Sequence, residues 1–148
     1  ISSLEKLYLT IKKLSLNIHE NNDYFYIAHK AGIPLKNLKN LQNKLFGLEA
    51  NFEELHAIDF KKGCYIGQEN TARMKLKNKL RRRLLPIKSK KKLNIGQEIK
   101  FKNFNVGKVL IDKPFPFALI KLFDPNFSEF ANKDLYIDNN KVKIINNY

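Results

Sequence analysis

Cysteine is almost absent from this sequence, since Cys64 is the only one among 148 residues. A single cysteine excludes an internal disulfide and a CxxC pair within the chain, and it is compatible with a reducing compartment. Long apolar runs are also absent, because no stretch approaches the ~20 residues of a membrane-spanning helix. The first residues lack a basic region followed by an apolar one. We therefore expect no membrane span and no signal peptide.

Signatures of common catalytic and metal sites are missing as well. The three histidines, His19, His29 and His56, have no metal-ligand spacing, and no HExxH, Ser–His–Asp or phosphate-loop signature occurs. One thiolate does not hold an iron–sulfur cluster by itself, because such clusters usually take about four protein thiolates. We expect ordinary histidines and no stable metal site from this chain alone.

Acidic residues are scarce. Lys and Arg number 28 against 14 Asp and Glu, which gives a formal net charge of +14. Such an excess invites a nucleic-acid interpretation. However, the excess is nearly all Lys in a chain also full of Asn and Ile, a combination typical of an AT-rich genome. We therefore rank a nucleic-acid partner as unlikely, while the 43% hydrophobic share predicts a folded core.

The first half of the chain carries both helix and strand signals. Residues 7–16 carry conflicting signals. The spacing of Leu4, Leu7, Ile11 and Leu14 favours a helix that begins at Ser2 or Ser3, whereas residues 8–11 favour a strand. Asn21-Asn22-Asp23 predicts the cap of a helix over residues 24–31, which Gly32-Ile33-Pro34 ends. The other expected elements are a weakly amphipathic helix or a loose connection over residues 35–46 and a short helix over residues 49–55.

The second half has the pattern of a small all-β domain. Short apolar stretches separated by turn residues predict strands over residues 80–88, 97–101, 106–111, 117–123, 135–137 and 141–145. Asp138-Asn139-Asn140 is a hairpin signal between the last two. Five or six short strands in under 70 residues predict a small antiparallel barrel over residues 80–148.

The most distinctive stretch is residues 61–73, which begins Lys61-Lys62-Gly63-Cys64 and continues to Arg73. Its glycines predict a tight loop, and a short helix is expected from Ile66 onward. Cys64 would then precede a helix N-terminus beside two lysines, and both features predict a lowered thiol pKa. A small buried apolar cysteine is an equally weighted interpretation from local sequence alone.

Lys62-Gly63-Cys64-Tyr65-Ile66-Gly67-Gln68-Glu69, with Arg73 four residues on, resembles the signature of the YgfZ family of folate-binding, aminomethyltransferase-like proteins. Leu48-Glu49-Ala50-Asn51, Arg81-Arg82-Arg83-Leu84 and Pro86 fit the same pattern. The resemblance implies an α+β fold: residues 1–79 as the C-terminal part of a folate-binding-type domain, then the barrel. It covers the C-terminal half of the family pattern and favours a strand over residues 7–16.

The resemblance implies that the protein is a maturation or repair factor for iron–sulfur proteins in the bacterial cytoplasm. It also implies a link to tRNA modification. Cys64 would be the essential thiol, either touching iron or doing thiol chemistry. Tetrahydrofolate would be the bound cofactor, and the partners would be iron–sulfur assembly proteins or client enzymes. The residues that would shape the folate site are Glu49, Lys62, Tyr65, Gln68, Glu69 and Arg73.

Simpler interpretations and two rival functions stay open. Glu69 and Arg73 are spaced as an ordinary surface ion pair on a helix, and Asn51 suits a helix cap. The run from Arg81 to Arg83 is either a solvated strand face or a site for phosphates or carboxylates. The rival functions are a tetrahydrofolate-dependent aminomethyltransferase and a basic RNA-binding module.

Overall fold

A computed structural model describes residues 2–17, 21–64, 66–77 and 80–145. The first element is helix α1, Ser3–Lys13. The strand expected over residues 7–16 is therefore wrong. Ser2 and Glu5 form a capping box, in which the Ser2 hydroxyl accepts from the Glu5 N–H at 3.2 Å and the Glu5 carboxylate accepts from the Ser2 N–H at 2.8 Å. Because this local device satisfies the first helical N–H groups, it stabilises a helix over the β-favouring residues that follow.

Helix α2, Asn21–Lys30, confirms the second predicted helix, but Asn21-Asn22-Asp23 form its first turn, so the cap expected at these residues is wrong. Gly32 follows the helix with a φ of 91°, a left-handed conformation that suits glycine. A 3₁₀ helix spans Leu38–Leu41. The short helix expected over residues 49–55 is wrong, because residues 47–56 form successive turns. Asn51 there has a φ of 64°, which is incompatible with a continuous α-helix.

Helix α3, Gln68–Leu76, confirms the helix after the cysteine loop, with Gly67 at a φ of 87° before it. Helix α4, Phe127–Phe130, was not expected from the sequence. Among the described residues, no helix is long and apolar enough to cross a membrane. The described residues before position 80 form helices and turns, so the folate-binding-type domain expected there stays a prediction.

The barrel is confirmed. Its six strands are β1 (Arg82–Ser89), β2 (Glu98–Phe101), β3 (Phe104–Ile111), β4 (Phe117–Lys121), β5 (Leu135–Ile137) and β6 (Asn140–Ile144). They close antiparallel in the order β1-β4-β3-β2-β5-β6. Closure leaves no free sheet edge, because every strand is hydrogen-bonded on both sides.

Two apolar clusters hold the structure together. Alternate strand residues such as Ile99, Val106 and Leu135 fill the inside of the barrel and are fully buried. A second cluster lies where the segment around the 3₁₀ helix packs on the barrel, and it contains Leu84, Leu110, Ile111, Phe117 and Leu119, with Leu41 and Leu45 against them. The first half of the chain is thus attached to the barrel by burial of apolar surface.

His29 adds a polar attachment between the two halves. Its ring is fully buried, with Nδ1 3.0 Å from the Phe115 carbonyl oxygen, while Nε2 accepts from the N–H groups of Leu35 at 3.2 Å and Lys36 at 3.1 Å. These partners require a neutral ring with its proton on Nδ1. Burial lowers the pKa of His29, partly opposed by the hydrogen bond to Phe115 and reinforced by the charge of Lys36. His29 is therefore a structural histidine, as expected.

Candidate functional site

The cysteine loop presents its thiol to solvent. Cys64 is free and exposed, and Lys61 and Lys62 beside it are exposed as well. The Asp59 carboxylate accepts from the Lys61 N–H at 2.8 Å and shapes the approach to the loop. The structure therefore excludes the interpretation of Cys64 as a small buried apolar residue, and it leaves the thiol accessible to a partner or a small thiol. Tyr65 lies outside the described residues.

Helix α3 follows this loop and carries three of the predicted site residues. Gln68 is half-buried in its first turn. Glu69 and Arg73 form the expected ion pair, with 2.5 Å between the carboxylate and the guanidinium, and their side chains are 75% and 66% exposed. At this exposure water screens the attraction, so the pair contributes little stability.

A second contact fixes α3 to the turns that precede it. The ammonium of Lys75 binds the carboxylate of Glu53 and lies 5.7 Å from the centre of the Phe60 ring. Two attractions on one side chain orient the helix relative to residues 52–60. This arrangement positions α3 beside the start of strand β1.

Glu49 is almost fully buried, and both its carboxylate and its backbone carbonyl accept hydrogen bonds. Its carboxylate accepts two hydrogen bonds from the Arg82 guanidinium, at 2.9 and 3.1 Å, and one from the Phe46 N–H at 3.0 Å. Its backbone carbonyl accepts from the Leu84 N–H at 2.7 Å. The geometry makes Glu49 the anchor between the turn segment and strand β1, so a ligand that used this carboxylate would have to displace Arg82.

Asn51 reinforces that anchor. Its side-chain amide donates to the Leu84 carbonyl at 2.6 Å, and the residue is fully buried. The turn segment therefore binds both the N–H and the carbonyl of Leu84 on strand β1, much as a neighbouring strand would. The left-handed backbone at Asn51 explains why Asn occupies this position, since Asn tolerates that conformation better than most residues.

The arginine run divides between two partners, as alternation along a strand requires. Arg82 binds Glu49, and Arg83 binds the carboxylate of Glu54. Arg81 stays exposed. The prediction that Arg82 points away from its neighbours agrees with these separate partners. The interpretation of the run as a solvated face is wrong for Arg83, whereas Arg82 stays partly exposed to water.

A cleft of about 590 Å³, here called the α3 cleft, lies between α3 and the start of β1. Its walls are formed by Phe46, Glu49, Asn70, Arg73, Met74, Lys77, Arg81 and Arg82. Of the predicted folate-site residues, the cleft brings together Glu49 and Arg73, whereas Lys62, Gln68 and Glu69 are not in its walls. Sequence reasoning missed Lys77, Met74 and Phe46, because nothing local to them signals a shared wall.

The described residues contain no group of three or more His, Cys, Asp or Glu side chains placed to hold a metal ion. For folate, the fit is partial. Arg73, Lys77 and Arg81 suit the carboxylates of a folate glutamate tail, yet the one carboxylate in the cleft is already bound to Arg82. The described part of this chain thus offers one side of such a site.

No family model matches the chain. A relative in Neurospora crassa, named iron–sulfur cluster assembly factor IBA57 homolog, mitochondrial, is 42% identical over 55 residues, which are 37% of this chain and 12% of the relative. The tRNA-modifying protein YgfZ of Buchnera aphidicola is 41% identical over 70 residues, 45% of this chain and 22% of that protein. The homologues of this chain are YgfZ-like proteins. The resemblance to the YgfZ family is confirmed.

A mammalian relative extends the comparison. The mouse iron–sulfur cluster assembly factor IBA57, mitochondrial, is 38% identical over 66 residues, which are 45% of this chain and 18% of the mouse protein. These matches thus span less than a quarter of each YgfZ-like relative. The names of the Neurospora and mouse proteins describe them as mitochondrial, while the bacterial cytoplasm expected for this chain stays a prediction.

Proposed function

We propose that this chain takes part in the assembly or repair of iron–sulfur proteins and acts through the thiol of Cys64. The homology to proteins named as iron–sulfur assembly factors supports the role. The single structural observation that carries the mechanism is the exposed thiol in a lysine-bearing loop. A thiol in that position is accessible to a macromolecular partner, as thiol exchange or transient iron ligation requires.

The thiol acts with a partner rather than alone. A cluster in transit is cargo, and its remaining ligands come from an iron–sulfur assembly protein, a client enzyme or a small thiol. Lys62, two residues before the thiol, is exposed and adds a positive charge to the loop, which suits an anionic cluster. The role of Cys64 is therefore to offer one sulfur at a docking surface.

We also propose that tetrahydrofolate binds to a site that this chain forms only in part. Arg73, with Lys77 and Arg81, would hold the glutamate carboxylates in the α3 cleft. Gln68 and Glu69 lie outside the walls of this cleft and would meet only a part of the ligand that extends beyond it. Polypeptide outside these 148 residues would supply the rest. The expected consequence is weak folate binding by this chain alone and tighter binding once a longer relative's remaining domain is attached.

The test is rescue of an iron–sulfur enzyme's activity in cells that lack their own factor. The chain and a fusion to a relative's remaining domain are each compared with their Cys64→Ser variants, and Lys90→Gln, an exposed barrel residue outside the proposed sites, is the control. Rescue that needs Cys64 supports the maturation role. Equal rescue by Cys64→Ser refutes the thiol mechanism and favours the transferase alternative, which a measured one-carbon transfer from an aminomethyl donor would then establish.

A further inference from the structure

Basic residues gather around two neighbouring clefts. The α3 cleft contains Arg73, Lys77, Arg81 and Arg82. A second cleft of about 470 Å³, here called the barrel cleft, lies on the outside of strands β3 and β4 and contains Lys44, Arg82, Lys108 and Lys121. Arg82 belongs to both walls, so the two clefts adjoin and together present seven cationic side chains.

Negative charge is nearly missing from these walls. Among the described lining residues, Glu49 is the one carboxylate, and it is buried and bound to Arg82. Glu69 neutralises Arg73 at the rim. Lys77 and Lys121 are exposed with no lining carboxylate beside them, whereas Lys108 lies opposite Glu98 on strand β2. The adjoining clefts therefore form a strip with an excess of positive charge.

The remaining surface of the strip is apolar. The Phe46 ring is 55% exposed at the α3 cleft beside Met74. In the barrel cleft the apolar lining includes Leu110 and Leu119, which are buried. Gly107 is required for strand packing, since an added Cβ would lie 2.7 Å from the Ile120 Cδ1 atom inside the barrel and 2.8 Å from the Leu119 carbonyl oxygen.

We propose that the adjoining clefts bind a segment of single-stranded RNA. A small dianion needs two or three cations, whereas the five lining cations outside the Arg73–Glu69 and Arg82–Glu49 pairs are spread along connected clefts and match a chain of phosphates. The exposed Phe46 provides an aromatic surface on which a base stacks. A run of acidic side chains would match the charge but would leave this aromatic surface without a stacking partner. The composition alone did not favour nucleic acid; the placement of the cations does.

The experiment measures binding of a fluorescein-labelled 12-nucleotide RNA to the 148-residue chain by anisotropy over a salt series. One variant neutralises the α3 cleft, Lys77→Gln with Arg81→Gln, and another neutralises the barrel cleft, Lys108→Gln with Lys121→Gln. The control, Lys88→Gln with Lys100→Gln, removes the same charge from exposed strand positions outside both clefts. Circular dichroism confirms that all variants fold.

Each cleft variant is expected to lower the affinity roughly tenfold and to reduce the salt slope by about 1.4, because two phosphate contacts are lost. The control is expected to change the affinity less than about threefold. Equal loss in the control, loss in only one cleft variant, or no binding by the unmodified chain would overturn the proposal. So would displacement of the RNA by an oligoglutamate of equal charge, which would assign the clefts to an acidic protein.

Discussion

Replacing Glu49 by Gln tests whether the buried carboxylate is a structural anchor. The change keeps the shape of the side chain but removes the charge that accepts two hydrogen bonds from Arg82 and one from the Phe46 N–H. Removing one partner of a fully buried pair costs about 3–5 kcal/mol. The Arg82 side chain is 41% exposed, so water compensates part of its lost partner, and we expect a loss of about 2–3 kcal/mol in the free energy of unfolding.

Urea denaturation followed by circular dichroism measures this loss. Glu69→Gln is the matched control, because its ion pair with Arg73 is exposed and its removal should cost less than about 0.5 kcal/mol. A cycle with Arg82→Gln should give a coupling energy of about 1–2 kcal/mol between Glu49 and Arg82. If Glu49→Gln is as stable as the control but loses folate binding, the anchor interpretation is wrong and the ligand role predicted from the sequence is right.

Three further predictions follow from the structure. Because the pKa of His29 is lowered in the fold, the free energy of unfolding should fall as the pH drops below about 6.5 and level off below the folded-state pKa. His29→Gln should flatten this pH dependence, whereas the control His56→Gln should keep it. Gly107→Ala should destabilise the barrel by about 1–3 kcal/mol through overpacking, while Gly63→Ala, with nothing within 4 Å of the added Cβ, should not. Cys64 should react fully with a thiol reagent in the native state, and protection until denaturant is added would contradict its exposure.

The barrel could be predicted from the sequence because its information is local. Apolar residues alternate along each short strand, and turn residues separate the strands, so each strand signal is contained in a few neighbouring residues. The helix α3 and the Glu69–Arg73 pair followed from the same kind of short-range spacing. The error at α1 came from giving a family pattern more weight than the capping box of Ser2 and Glu5, which the sequence already contained.

Features that join distant residues could not be predicted in this way. Glu49 meets Arg82 across 33 positions, and His29 meets Phe115 across 86. Nothing beside Glu49 in the sequence shows that an arginine on the first barrel strand will occupy its carboxylate. The turn at Asn51 also depends on a distant residue, because its left-handed backbone is stabilised by a hydrogen bond from the Asn51 side chain to Leu84.

The antiparallel barrel, the helix after the cysteine loop and the YgfZ-like homology are predictable without coordinates, since periodicity and motif are properties of contiguous residues. The folded chain was needed to show that the thiol of Cys64 is exposed, that Glu49 is bound to Arg82, and that seven scattered cations line two adjoining clefts. Burial and electrostatic potential depend on distances through space, and these distances are set only when separate segments pack together.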